Sequence, residues 1–426
     1  MTLGKSAVDR VLSHDEVRQV VAQAAAALNL AGKRVLTIIP DGTRTMPMPL
    51  MFQLLQEEIG AGAAACDYLV ALGTHSLMNE VQLTRLMGRP VIDGRCSDAR
   101  VFNHRWDLPD TFVDLGTISA DKVAEASGGL LSEPILVKIN RLLFDYDHVL
   151  ICGPVFPHEV VGFSGGNKYL FPGVSSGEMI NQTHWLGALL GSYNLIGTTR
   201  TPVRALIDQA AEKITVPVAC FALVLRNQDV AGIYFGSAPE AWKAAAELSA
   251  QEHIRWEARP FRRVLSVLPK MYDDIWTGAK GMYKLEPAIA DGGEVVLYAP
   301  HITEFSYTHG AFLDRIGYHC RDYFLRQWDR FADVPRGVIA HSTHLIGQGT
   351  YDASTGTETL RIKVTLATGI PKERCRRLNL NYIDPRSIRF EDWQGREDQG
   401  VKLIPHAGET LYRLKDGVQT GASGGY

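Results

Sequence analysis

Short apolar runs and helical-period stripes alternate along this chain. Val17, Val20, Val21, Ala24 and Leu28 recur at three-and-four spacing, and Ser13 with Glu16 forms a capping box, so the pattern predicts a helix over 14–29. The run Arg34-Val-Leu-Thr-Ile-Ile-Pro40 has no polar alternation and reads as a buried strand. A helix over 50–59, a strand over 67–72 and a helix over 80–88 opened by Asn79 follow. Weaker strands at 112–115 and 135–138 precede a strand over 147–152 and a helix over 177–190. Then come a helix over 203–213, a strand over 216–225 and a helix over 238–251. Strands separated by helices need crossover connections, so the reading is an α/β fold with largely parallel sheets.

The pattern breaks at Arg255-Trp-Glu-Ala-Arg-Pro-Phe-Arg-Arg263, which is polar, basic and interrupted by proline. A boundary there gives an N-terminal α/β domain over 1–255 and a C-terminal α/β domain over 262–404. In the second, 264–268, 294–298, 337–340 and 401–404 read as strands. The stretch 272–285 reads as partly helical and 310–330 as helical, and the glycine-rich end 420–426 reads as a loose tail.

Composition narrows the classes. With 426 residues, 46% of them hydrophobic, the chain can bury the cores of two or three domains. A formal charge of -3 supplies no basic field for nucleic acid. Lys372, Arg374, Arg376 and Arg377 form one local basic cluster, read as a solvated face with an anion site as the alternative. Six scattered cysteines make no Cys-x-x-Cys pair, which argues against zinc ribbons, iron–sulfur sites and disulfide scaffolds. No apolar window is long enough to span a bilayer and no signal-peptide pattern opens the chain, so no membrane partner and a cytoplasmic location are expected.

Candidate chemistry gathers where strands end. Asp41-Gly-Thr-Arg44 follows one strand and Gly73-Thr-His75 follows the next; such edges bind ligands in open α/β sheets. Between His158 and His184 lie Lys168 and five glycines, Gly162, Gly165, Gly166, Gly173 and Gly177. Asn167 precedes the lysine and Tyr169 follows it, so this is not a Walker loop. Arg44 suits a carboxylate or phosphate. Taken singly, each histidine reads as a core residue and Lys168 as a loop lysine; together they read as one site for a bulky, phosphate-bearing, metal-containing cofactor.

In combination these elements resemble the lactate racemase family of nickel-pincer nucleotide enzymes. The matching pieces are Asp41-Gly-Thr-Arg44, Gly73-Thr-His75, Pro157-His158, Gly162-Phe-Ser-Gly-Gly-Asn-Lys168, Pro172-Gly173, His184 and Lys280-Gly281. The resemblance implies two α/β domains with a cofactor and active-site cleft between them, the tail 405–426 returning to the first. It implies a nickel-pincer nucleotide, the nickel complex of pyridinium-3,5-bisthiocarboxylic acid mononucleotide, joined covalently to Lys168 through a thioamide, with His184 as the protein ligand to nickel. His75 and His158 become the paired acid/base residues, and Arg44 and Lys280 the residues that hold the substrate. Asp41, Thr43, Gly165, Gly166, Pro172 and Gly173 would line the cofactor, and Trp276 and Thr277 the substrate. The implied partners are a small 2-hydroxy acid and cofactor-maturation proteins.

Departures from the family pattern concentrate around the substrate. Gly42 and Thr45 stand where lactate-specific members usually carry histidine and proline, Ser76-Leu77 where arginine-proline often follows, and Trp276-Thr277 where an aromatic-glutamine pair is usual. Smaller side chains there predict a longer 2-hydroxy acid than lactate, such as a sugar acid. Two other classes compete: a zinc hydrolase on His75, His158 and His184, and a non-catalytic metabolite-binding protein.

Overall fold

The computed structural model describes residues 2–415, so the expected loose tail over 420–426 lies outside the described residues. The architecture is α/β, and the chain forms two compact units that interleave in sequence. Among the described residues, the first holds 2–156, Phe163–Ile180 and Thr199–Glu252, and the second holds Pro157–Gly162, Asn181–Thr198 and 253–415. The composition break near 255 thus lies close to one crossing, while two shorter segments of the N-terminal half belong to the second unit.

In the first unit, β1 (Leu3–Ser6), α1 (His14–Leu28), β2 (Arg34–Pro40), α2 (Met48–Leu55), β3 (Ala65–Ala71) and α3 (Glu80–Met87) come in order. Next are β4 (Val91–Ile92), β5 (Arg95–Cys96), β6 (Ala99–Asn103), the antiparallel pair β7 (Phe112–Ile118) and β8 (Ile135–Asn140), and β9 (His148–Pro154). Then come α4 (Gly177–Leu190), which enters the second unit at Asn181, α5 (Pro202–Ala211), β10 (Val218–Arg226), β11 (Asp229–Gly236) and α6 (Ala238–His253). The nine-stranded sheet has the order β1-β11-β10-β9-β2-β3-β6-β5-β4. Its central strands β10, β9, β2, β3 and β6 pair in parallel; the pairs at either edge are antiparallel. From β2 the chain first winds one way, to β3 and β6; it then returns on the other side as β9 and β10. The switch of direction therefore falls between β2 and β9, where the carboxyl ends of an open sheet leave a crevice. Continuous apolar runs in β2 and β9 follow from burial on both faces.

In the second unit, β12 (Ile254–Glu257), β13 (Phe261–Val267), α7 (Ile275–Gly278), α8 (Lys280–Tyr283), β14 (Ile289–Ala299), α9 (Gly310–Ile316) and α10 (Arg336–Ile346) lead to β15 (Lys363–Thr368). There follow α11 (Lys372–Arg377), β16 (Asn381–Tyr382), β17 (Val401–Ile404) and β18 (Leu411–Leu414). Five of these strands form an all-parallel sheet, β16-β15-β14-β13-β17. β18 pairs in parallel with β12, so the described end of the tail, 405–415, belongs to the second unit and not to the first.

The strand expected at 337–340 is instead the first turn of α10, whose residues Gly337–Ile346 are all buried. A short apolar run does not distinguish a strand from a fully buried helix. The helical span expected over 310–330 is broken after Ile316 by Gly317 at φ 68. All six cysteines are buried and unpaired. No helix among the described residues is long and apolar enough to cross a membrane.

Candidate active site

Asp41 and His75 follow the adjacent parallel strands β2 and β3, which brings their side chains together: His75 Nδ1 lies 2.5 Å from Asp41 Oδ2. Asp41 Oδ1 accepts from both the backbone N–H and the hydroxyl of Thr43. Burial alone would push the Asp41 carboxyl up, but the charge and hydrogen bond of His75, with Arg44 and Thr43, hold it well below the usual carboxylate range. An ionised Asp41 fixes the tautomer in which His75 carries its proton on Nδ1 and presents Nε2 as a base. The His75 carbonyl accepts the Trp106 indole N–H at 2.8 Å, which locks the turn. Arg44 is half-buried and bears electrostatically on Asp41 and on Tyr169.

The lysine turn follows β9 in the same unit. From Val160 to Pro172 every residue is buried except Lys168, which is partly exposed. Gly165 and Gly166 both adopt positive φ, 87° and 58°, a pair of conformations open to glycine. Tyr169 anchors the turn on the sheet, since a Cβ at Gly153 in β9 would come within 2.0 Å of its hydroxyl oxygen. Gly173 N–H donates to the Lys168 carbonyl, and the Gly73 N–H donates to the Gly173 carbonyl at 2.9 Å. Backbone bonds therefore couple the lysine turn to the His75 turn. Pro172 follows a cis peptide bond.

The second unit carries the other candidates. His158 is buried, its Nδ1 3.2 Å from Glu159 and accepting the Val160 N–H at 3.1 Å. His184 is half-buried on α4, with Thr183 Oγ1 3.4 Å from its Nδ1. The start of α10 is fastened to the same helix, Gly337 N–H to Asn181 Oδ1 and Arg336 to Gln182 Oε1. Lys280 is buried with its ammonium 4.6 Å from the centre of the Tyr272 ring. Trp276 stacks on His341, ring centres 4.2 Å apart, and packs on His309 at 4.5 Å. Thr277 donates its hydroxyl to Asp274 Oδ1, the oxygen that also accepts the Thr277 N–H and so caps α7.

Three histidines at this site have no counterpart among the sequence candidates: His309, His341 and His344. Burial, then the neighbouring imidazoles of His344, His309 and His184, push His341 well below the ordinary range and keep it neutral. Burial pushes His344 down to about 4. Helical spacing of His341 and His344 is the signal the sequence carries, and they lie just beyond the run 337–340 that reads as a strand. Glu159, adjoining His158, was equally visible. In the basic cluster Arg374 makes a forked pair with Asp314 and reaches Glu304, and Arg377 also meets Asp314, while Lys372 and Arg376 are exposed.

Among the described residues, no group of three or more His, Cys, Asp or Glu side chains is placed to hold a metal ion, which a zinc centre on His75, His158 and His184 would need. The side chains do fit a tethered cofactor. In the first unit Lys168 emerges partly exposed from an otherwise buried glycine turn, and in the second the half-buried His184 imidazole is a donor of the kind taken by a metal that brings other donors of its own.

Comparison with known proteins agrees. The family model "Lactate racemase N-terminal domain" matches residues 4–194. The lactate racemase of Thermoanaerobacterium thermosaccharolyticum is 24% identical over 272 residues, 63% of this chain and 60% of that protein, so the match spans under two thirds of the relative's length. A crystal structure of a protein from Thermotoga maritima has 33% identity and a TM-score of 0.86, covering 95% of this chain and 99% of that one. The lactate racemase apoprotein of T. thermosaccharolyticum shares the fold, with TM-score 0.69 at 18% identity over 93% and 92% of the two chains. Residues 4–194 belong to the family of the lactate racemase N-terminal domain, and the chain as a whole shares the fold of a lactate racemase.

Proposed function

We propose that the protein is a nickel-pincer nucleotide-dependent racemase or epimerase of a 2-hydroxy acid, working by proton-coupled hydride transfer through a 2-keto acid. The observation that carries this reading is the Asp41–His75 dyad backbone-coupled to a turn from which Lys168 alone emerges. The hydrogen beside an ionised carboxylate is a very weak acid, and its removal as hydride is easier if the hydroxyl loses its proton at the same time. When bound, the pincer nucleotide supplies the hydride acceptor. Lys168 tethers it and His184 ligates its nickel.

His75 Nε2 takes the hydroxyl proton of one enantiomer, with Asp41 stabilising the imidazolium that results. His158 is the paired acid/base residue for the opposite hand. Arg44 or Lys280 holds the carboxylate while the keto group turns. Thr43, Gly165, Gly166, Pro172 and Gly173 shape the surroundings of the tether.

The substrate is larger than lactate. Position 42 supports this: Gly42 is exposed, and a Cβ there would meet nothing closer than Met78 Cε at 3.6 Å. Trp276 contributes the wall beside the substrate, while the inward turn of the Thr277 hydroxyl leaves only its methyl for that role. Cofactor-maturation proteins are the expected partners. Six unpaired buried cysteines accord with a reducing cytoplasm.

The test is chiral analysis of a panel of 2-hydroxy acids after incubation with protein co-produced with maturation proteins. Interconversion of a longer acid faster than lactate is expected, with loss on His75→Ala or His158→Ala. Lactate as the best substrate would remove the substrate assignment. No added mass on Lys168 in the intact protein would remove the cofactor assignment.

A further inference from the structure

Arg204 is 4% exposed and lies on α5, and among the described residues its guanidinium donates to carbonyls and to no carboxylate. Burying a guanidinium in this way is costly. Its forked end donates to two carbonyls of one loop, Phe163 and Gly165, and its plane lies 4.2 Å over the Trp242 ring. The Trp242 indole N–H donates to the carbonyl between them, Ser164, at 2.9 Å. Three successive buried carbonyls are therefore all held by two side chains stacked on each other. Two residues beyond Gly165, Asn167 donates to Asp208, which lies on the same helix as Arg204. The glycine pair fits against this block: a Cβ on Gly166 would come within 2.8 Å of Trp242.

Nothing in this block reaches outward, yet it fixes the segment that immediately precedes Lys168. Carbonyl directions fix peptide planes, and the planes fix where the lysine side chain leaves the turn. A carboxylate at Arg204 would quench the charge and compete for the fork, and Asp208 is instead engaged by Asn167.

We infer that Arg204, with Trp242, is the positioning residue for Lys168: it sets the glycine turn so that the amine meets the carbonyl carbon of an incoming thiocarboxylic acid. This rests on the proposed tether. The condensation joins the amine nitrogen to that carbon and releases water, leaving a thioamide.

Wild type, Arg204→Lys, Arg204→Gln and Trp242→Phe are co-produced with maturation proteins, and the fraction of chain with mass added at Lys168 is read by intact and peptide mass spectrometry. Arg100→Gln is the control, since Arg100 serves a buried Asp67–Tyr146 pair elsewhere in the unit. Loading is expected to fall about tenfold or more in Arg204→Gln, the factor typical of a misplaced reacting group, with partial rescue in Arg204→Lys and a smaller loss in Trp242→Phe. Arg100→Gln loses thermal stability without losing loading. The second readout is the acylation rate of Lys168 in the unloaded protein by a small active ester, normalised to exposed Lys33; it should change about fivefold or more in Arg204→Gln. If Arg204→Gln does not fold, the same readings on Arg204→Lys and Trp242→Phe decide. Unchanged loading and acylation in folded variants, or losses that only follow stability as in the control, overturn the inference. If wild type itself gains no mass, the tether is wrong, and the acylation rates still judge Arg204.

Discussion

Asp41 uses one carboxylate oxygen on His75 and the other on Thr43, so an isosteric amide there keeps the shape and loses the charge. Asp41→Asn is expected to lower kcat of the loaded enzyme about a hundredfold or more with a small change in KM, because the wrong imidazole tautomer would face the substrate. Steady-state kinetics with the best 2-hydroxy acid checks this; an equal loss in KM alone would assign Asp41 to binding.

His104 offers a separate test. Its Nδ1 accepts from Asn140, its Nε2 donates to the Ser175 carbonyl, and burial pushes it down to about 4. A histidine pushed down favours the neutral form in the fold, so its contribution is present above the unfolded value near 6.5 and is lost as pH falls toward 4. That loss is at most about 3 kcal/mol. Urea titrations of wild type and His104→Gln between pH 7 and 4.5 should show a steeper fall for wild type; parallel curves would refute it. At this scale the sequence revealed residues at strand ends and in the glycine turn. It did not reveal His309 and His341, which meet Trp276, or His344, which packs edge-on to Tyr283, because tertiary packing brings them there.

Among the elements, β9 and the lysine turn are joined by Tyr169 against Gly153. Gly153→Ala puts a methyl where the phenol lies, and overpacking of this kind costs about 1–3 kcal/mol. A lower thermal midpoint is expected together with reduced loading of Lys168, read by calorimetry and intact mass; an unchanged midpoint would mean the ring moves freely. The parallel strands β2, β3, β9 and β10 were legible because strands buried on both faces are continuous apolar runs. α10 was not, because its first turn is the same kind of run. The loop that carries His309 and the single-turn helix that carries Trp276 are too short to show a period, and their positions come from bonds such as Trp276 N–H to the Phe305 carbonyl.

For the molecule as a whole, the α/β class and a division near 255 could be read from the chain, but the interleaving could not. Segments 157–162 and 181–198 join the second unit through contacts with residues far away in sequence, as in the Gly197 site packed by Leu411 and Ile254. Ending the chain at His406 would remove β18, including fully buried Leu411 and the bond from Tyr412 N–H to the Lys284 carbonyl. The truncated protein is expected to lose at least about 2–5 kcal/mol, in line with deletion of large buried side chains. Loss of the chemical-denaturation midpoint would show it, and an unchanged midpoint would make β18 dispensable.

The pairing of β12 with β18 also has a meaning in time. Ile254–Glu257 leaves the ribosome roughly 150 residues before its partner strand, so at 5–20 residues per second the nascent chain waits on the order of 10–30 s with that edge bare. Lys168 is synthesised long before that moment, and a maturation factor that recognises the finished second unit would have to wait until β18 has been made and paired.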